Sequence, residues 1–86
     1  MRNETTVTDT GYEIDFSDHY QLKMLMRMYG DYEGMFPATN EHGEKQNISF
    51  YPDKIELVTF QYNGYERQNT YWYDGTREEM FNGRWK

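Results

Sequence analysis

The residues able to do chemistry in this chain are chiefly acids. Its 86 residues carry 15 Asp and Glu against nine Lys and Arg, with two His and no Cys. Nucleophile candidates reduce to Ser17, Ser49 and the threonines. Neither serine stands in a Gly-x-Ser-x-Gly turn, whose strained geometry exposes the hydroxyl. The glycine-rich loops that cradle phosphates are also missing from the sequence. Without cysteine there can be no thiolate metal site. Glu41-His42-Gly43-Glu44 offers half of a metal site at most, because His19 is far away in the chain. Glu13 and Asp15 alternate with Tyr12, Ile14 and Phe16, which puts both carboxylates on one face of a strand, and an ordinary solvated face explains them. Glu78 and Glu79, adjacent on a strand, point to opposite faces and do not converge. No catalytic constellation results, so the expectation is a non-enzyme that needs no cofactor and no metal.

The acids instead suggest recognition. Net charge is −6, and all of it lies in the first half: residues 1–44 hold nine acids and three bases, residues 45–86 six of each. Phosphate contacts need clustered Lys and Arg, so direct nucleic-acid binding is disfavoured. A basic surface on a partner protein would complement the charge, although an acidic surface also serves solubility. Absence of cysteine suits a reducing cytoplasm. The opening Met1 to Thr6 has no apolar run of the signal-peptide kind, and nothing approaches the ~18 apolar residues of a membrane span.

The elements that must position these acids follow from pattern. The chain is long enough for one domain with one small core. Aromatics make up 19% of it and must supply much of the packing. Residues 1–10 read as an edge strand or a loose terminus, and 11–16 as a half-buried strand. Ser17-Asp18 opens a helix over 18–29, with Gln21 completing a capping box and Gly30 stopping it at the C′ position. At 100° per residue Leu22, Met24, Leu25, Met28 and Tyr29 share the apolar arc, His19, Lys23 and Arg27 lie opposite, and Met26 falls near the polar side. The methionines serve as core or as an adaptable binding surface. Residues 30–46 form a long acidic loop carrying Asp31, Glu33, Glu41 and Glu44, and residues 47–85 a β-meander. The expected fold is therefore α+β: an antiparallel β-meander of four to five strands with one amphipathic helix packed on a face.

Two hairpins are signalled by Asn63-Gly64 and Asp74-Gly75, which suit two-residue type I′ turns. That turn length pairs Phe60 with Arg67, Leu57 with Thr70, Trp72 with Arg77 and Gln68 with Phe81. One face then carries Ile55, Leu57, Trp72 and Phe81, with Trp85 near the end. The other carries Val58, Phe60, Tyr62, Tyr65, Tyr71, Tyr73 and Met80. Thr76 to Glu79 also fits a helix cap, with Gly83 as its stop, but a strand is preferred after Asp74-Gly75. A helix of three turns covers one face only. The tyrosine face then calls for the long loop, a second copy or a partner. The candidate partner-binding residues are Asp31, Glu33, Glu41 and Glu44, with Tyr62, Tyr65 and Tyr73 as anchors.

The run Asn63-Gly-Tyr-Glu-Arg-Gln-Asn69, followed by Tyr73-Asp-Gly-Thr-Arg-Glu-Glu-Met-Phe-Asn-Gly-Arg-Trp85, resembles small uncharacterised proteins of Gram-positive bacteria, their phages and integrative elements. The resemblance covers about the last third of the chain and rests on hairpin motifs. It implies a mobile-element accessory protein, some of which inhibit host restriction or CRISPR nucleases by occupying a protein surface. The expected function is a small acidic cytoplasmic protein-binding module, an anti-CRISPR-like inhibitor acting by steric occlusion on a nucleic-acid-binding effector. A single-stranded nucleic-acid module stacking bases on the tyrosine face beside Arg67, Arg77 and Arg84 is one alternative. A homodimer built on that face is the other.

Overall fold

A computed structural model describes residues 5–61 and 64–82. The elements are β1 (Thr5–Thr8), β2 (Glu13–Asp15), α1 (His19–Tyr29), β3 (Phe36–Asn40), β4 (Lys45–Phe50), β5 (Lys54–Phe60), β6 (Glu66–Trp72) and β7 (Arg77–Asn82). All seven strands join one antiparallel sheet in the order β2-β1-β3-β4-β5-β6-β7. The α+β class is as expected, with seven strands instead of four to five. One extra strand is β1, which lies between β2 and β3 rather than at an edge. Another is β3, inside the segment expected to be a loop. Pro37 concealed it, because proline cannot donate to a ladder. A strand residue points its N–H and C=O to the same neighbour. The Pro37 carbonyl accepts from Asp9 N–H (3.0 Å) on the β1 side, beyond the last β1–β3 pair, Thr8 with Ala38. The missing donor therefore removes no bond from the β3–β4 ladder.

Four tight turns share one construction. In each, a residue at or just beyond a strand end donates to the carbonyl four residues on, and the glycine before the acceptor residue has positive φ. Thr8 donates to Tyr12 across Asp9-Thr10-Gly11, and Asn40 to Glu44 across Glu41-His42-Gly43. Gln61 donates to Tyr65, which Gly64 precedes, and Trp72 to Thr76 across Tyr73-Asp74-Gly75; Asn63, expected in the first of these turns, lies outside the described residues. These are three-residue hairpin loops, in which the third residue must enter the left-handed region that glycine reaches without a Cβ penalty. The expected two-residue turns are thus one residue short at both Asn63-Gly64 and Asp74-Gly75. Phe60 pairs with Glu66, Leu57 with Asn69, Tyr71 with Arg77 and Gln68 with Met80. A one-residue shift exchanges faces. Tyr71 joins Ile55 and Leu57 inside, while Trp72 lies opposite Lys54 on the other face. Pro52-Asp53 forms a two-residue turn, closed by Tyr51 N–H on Lys54 O (2.9 Å). Residues 77–82 are strand, as preferred; Tyr62, Gly83, Arg84 and Trp85 lie outside the described residues.

Asp18 caps α1 by accepting from Gln21 N–H (3.2 Å). Gln21 reaches back to the strand, accepting from Asp15 N–H (3.0 Å) and donating to Glu13 O (3.1 Å), which fixes the helix start against β2. The buried stripe is Leu22, Leu25 and Met26, with Tyr29 half-buried, so it follows the i, i+3, i+4, i+7 pattern. Met26 is thus core, while Met24 and Met28, expected in the core, are 45% and 62% exposed. Gly30 ends the helix in the right-handed region (φ −60°) and not as a left-handed C′ residue. Glycine is required there for space: a Cβ would meet the Met26 carbonyl and lie 2.9 Å from Pro52 Cα.

An 11-residue helix is about 16 Å long, whereas seven strands span roughly 29 Å. The sheet solves this by curling. Phe16, just after edge strand β2, stacks on Tyr71 of β6, with ring centroids 4.7 Å apart. The core of Ile14, Ala38, Ile48, Phe50, Ile55, Leu57 and Tyr71 lies within this curl under α1. A buried polar chain crosses it: Thr6 Oγ1 donates to Gln46 Oε1 (2.8 Å), and Gln46 Nε2 donates to Thr59 Oγ1 (2.9 Å). Each end of Gln46 is satisfied, so the chain can be buried without an unpaired amide.

Candidate functional site

The segment after α1 builds the most distinctive surface. Gly30 lets the helix end rest on Pro52, and Asp31 to Met35 then run to β3. Tyr32 leans on Phe36 (4.9 Å between ring centroids), and Phe36 packs on Tyr29 and Phe50, which anchors the segment to the core. Opposite stand Tyr51 from the β4–β5 turn and Glu56 of β5. Between these groups lies an open depression of about 790 Å³. Asp31, Glu33 and Glu56 give it three carboxylates, and among the described residues its wall contains no Lys, Arg or His. Tyr32, Met35 and Tyr51 supply exposed apolar surface at 53%, 58% and 38%. Lys54 stands beside it: its Nζ is 3.3 Å from Glu56 Oε2 and 5.1 Å from the ring centroids of both Tyr51 and Trp72. A cation here thus already uses a carboxylate together with aromatic faces.

The seven residues expected to form one contact surface are divided by the fold. β3 separates Asp31 and Glu33 at its start from Glu41 and Glu44 at its end. Tyr65 belongs with the second group, because the β5–β6 turn meets the β3–β4 turn through Gln61 Nε2 and Glu44 Oε2 (3.4 Å). Tyr73 lies at the first end, its N–H donating to Asp53 O (2.8 Å). Its half-buried ring packs on the core, with Lys23 Nζ 5.0 Å from the centroid. Tyr62 falls outside the described residues. Only Asp31 and Glu33 line the depression. Tyr32 and Met35, which interleave with them in the sequence, were the available signal for its apolar half. Tyr51 and Glu56 required the β4–β5 register.

Glu44 has a structural task. It accepts from Asn40 Nδ2 (2.8 Å), and this bond holds its carboxyl below the usual value; Gln61 and the charges of Arg67 and His42 add to it against partial desolvation. Asn40 Oδ1 in turn accepts from His42 and Glu44 N–H, so these bonds fasten the β3–β4 turn. Glu41 stands 3.8 Å from His42 Nε2. The tyrosine face expected for stacked bases is not assembled: Tyr71 is buried beneath Phe16 and Tyr73 belongs to a turn. Arg67 pairs with Glu79 (3.8 Å), and Arg77 lies 5.6 Å over Tyr71.

The candidate nucleophile Ser17 donates its hydroxyl to Asp15 Oδ1 (2.6 Å), not to an imidazole, and this bond with the Ser17 N–H lowers the Asp15 pKa. His19 lies beside Gly75 and His42 in the β3–β4 turn, at opposite ends of the sheet. Among the described residues no three His, Asp or Glu side chains are grouped to hold a metal, and no helix is long and apolar enough to cross a membrane. No protein-family model matches the chain, and neither do any curated protein or solved structure.

Proposed function

We propose that this chain is a protein-binding module that receives a Lys- or Arg-bearing segment of its partner in the depression between Asp31–Met35 and Tyr51–Glu56. The observation that carries this reading is the wall: Asp31 and Glu33 beside the Lys54-paired Glu56, with three exposed apolar side chains and no base among its described lining residues. Carboxylates draw a cation from water, and tyrosine faces hold it with little loss of conformational freedom. The resemblance of the C-terminal third to mobile-element proteins supplies a setting: a cytoplasmic inhibitor of a bacterial defence nuclease. A nuclease's nucleic-acid channel is lined with the bases that this surface complements, and occupying it would block the enzyme sterically.

The test is capture of a partner from bacterial lysate by tagged wild-type protein and by an Asp31→Lys/Glu33→Lys variant, followed by titration of the pure pair. Reversal at a rim pair swings attraction worth up to ~1 kcal/mol into repulsion, so affinity should fall roughly tenfold or more and lose much of its salt dependence. A captured nuclease should lose substrate binding at one equivalent of wild-type protein. Equal affinity and equal salt dependence for both proteins would refute the reading.

A further inference from the structure

The outer face of α1 is unlike the rest of this acidic molecule. Residues 19–29 contain Lys23, Arg27 and His19 and no carboxylate, so a chain of net charge −6 presents a basic helix. Tyr20, Met24 and Met28, spaced i, i+4 and i+8, form one exposed apolar stripe; Tyr20 is 73% exposed. Arg27 is exposed beside this stripe, and Lys23 flanks it toward Tyr73. Tyr20, Lys23, Met24, Arg27 and Tyr73 line a shallow groove of about 160 Å³. The helix is already fixed to the core by Leu22, Leu25 and Met26, so folding does not require large apolar side chains on its outer side. Methionine offers there a polarisable surface that adapts to its occupant.

We infer that this stripe is a second docking surface, and that its occupant is an acidic amphipathic helix of a partner protein. Charge complementarity selects that occupant. Apolar residues at helical spacing would cover Tyr20, Met24 and Met28, while Asp or Glu on their flank would meet Lys23 and Arg27. A second copy packed antiparallel through the same stripe would instead crowd two lysines and two arginines along one seam. The inference is independent of the acidic depression, because it concerns the other sign of charge on a different element.

Two synthetic 16-residue peptides test it, one with Leu at i, i+3/i+4 and i+7 and Glu on the flanks, the other with Lys in place of every Glu. Binding is read from the ¹³C-methyl signals of the methionines and from fluorescence anisotropy. The acidic peptide should shift Met24 and Met28 and leave Met80 unmoved. Its affinity should fall about tenfold with Arg27→Glu and likewise with Met28→Ser, and should survive Asp31→Lys/Glu33→Lys. Both substitutions fall on exposed positions, so an unchanged melting temperature certifies the fold. Equal binding of the lysine peptide, shifts at Met80, or no binding of the acidic peptide would overturn the inference. So would a wild-type dimer that Met28→Ser dissolves, because the occupant would then be a second copy.

Discussion

The rotation of α1 about its axis decides both the core and the exposed stripe, and one pair of substitutions tests it. Met26 is 1% exposed and Met28 62%, yet they stand two residues apart in the same helix with the same intrinsic helix propensity. Met26→Ala removes the side chain beyond Cβ from a site beside Leu22 and Leu25. The lost transfer energy and the remaining cavity together cost about 2–5 kcal/mol. An 86-residue domain has a total stability of only about 4–13 kcal/mol, so the loss is a large fraction of it. Taking ~3 kcal/mol as central and ~4–8 °C per kcal/mol, the melting temperature should fall by about 12–24 °C. Met28→Ala should stay within about 0.5 kcal/mol of wild type. Urea unfolding followed by tryptophan fluorescence and far-UV circular dichroism measures both. If Met26→Ala leaves too little folded protein, Met26→Leu keeps the volume and should cost under ~1.5 kcal/mol. Equal losses for the two alanine variants, or a larger loss at Met28, would refute the helix rotation and with it the exposed stripe.

Two further outcomes follow from the polar groups. Gln46→Leu strands the Thr6 and Thr59 hydroxyls in the core and should cost about 2–4 kcal/mol, whereas the triple variant Thr6→Val/Gln46→Leu/Thr59→Val, with no polar group left to satisfy, should recover most of that in the same urea titration. Glu44 titrates in the folded protein below its ordinary value of 4.5 because it accepts from Asn40. Its contribution is therefore complete above that ordinary value and lost as pH falls through the lower folded value. Melting temperatures measured downward from pH 6 should decline less steeply in Glu44→Gln than in wild type, and parallel acid limbs would remove the role assigned to this carboxylate.

The charge map was legible in the sequence because charge is additive along the chain; its arrangement was not. Asp31, Glu33, Glu41 and Glu44 are contiguous enough to look like one surface, but Phe36 to Asn40 is extended and carries the last two to the far end of the sheet. The helix was legible from its cap and its glycine. Its rotation is hidden in the sequence because the three methionines Met24, Met26 and Met28 are chemically identical, so hydrophobicity cannot rank them. The stronger constraint was Leu22, Leu25 and Tyr29, which leave Met26, and not Met24 or Met28, to complete the i, i+3, i+4, i+7 stripe.

The sheet register failed for a related reason. Asn-Gly and Asp-Gly occupy the centre of a two-residue turn or the last two positions of a three-residue one, and the local chemistry is the same in both. Burial would ordinarily choose, because a shift of one residue turns a strand inside out. Here Tyr71 and Trp72 are adjacent, so either register places an aromatic ring opposite Ile55. Thr70 and Asn69, the alternative partners of Leu57, are both polar. The deciding information lay elsewhere in the chain. Asp9-Thr10-Gly11 and Glu41-His42-Gly43 close hairpins whose third loop residue is glycine, and the two ambiguous turns repeat that form. The choice has a functional consequence. In the observed register Trp72 faces Lys54 on the open side, and Lys54 bridges to Glu56 at the edge of the acidic depression. In the other register Lys54 would lose that ring, and Tyr71, now stacked on Phe16 in the core, would stand outside in its place.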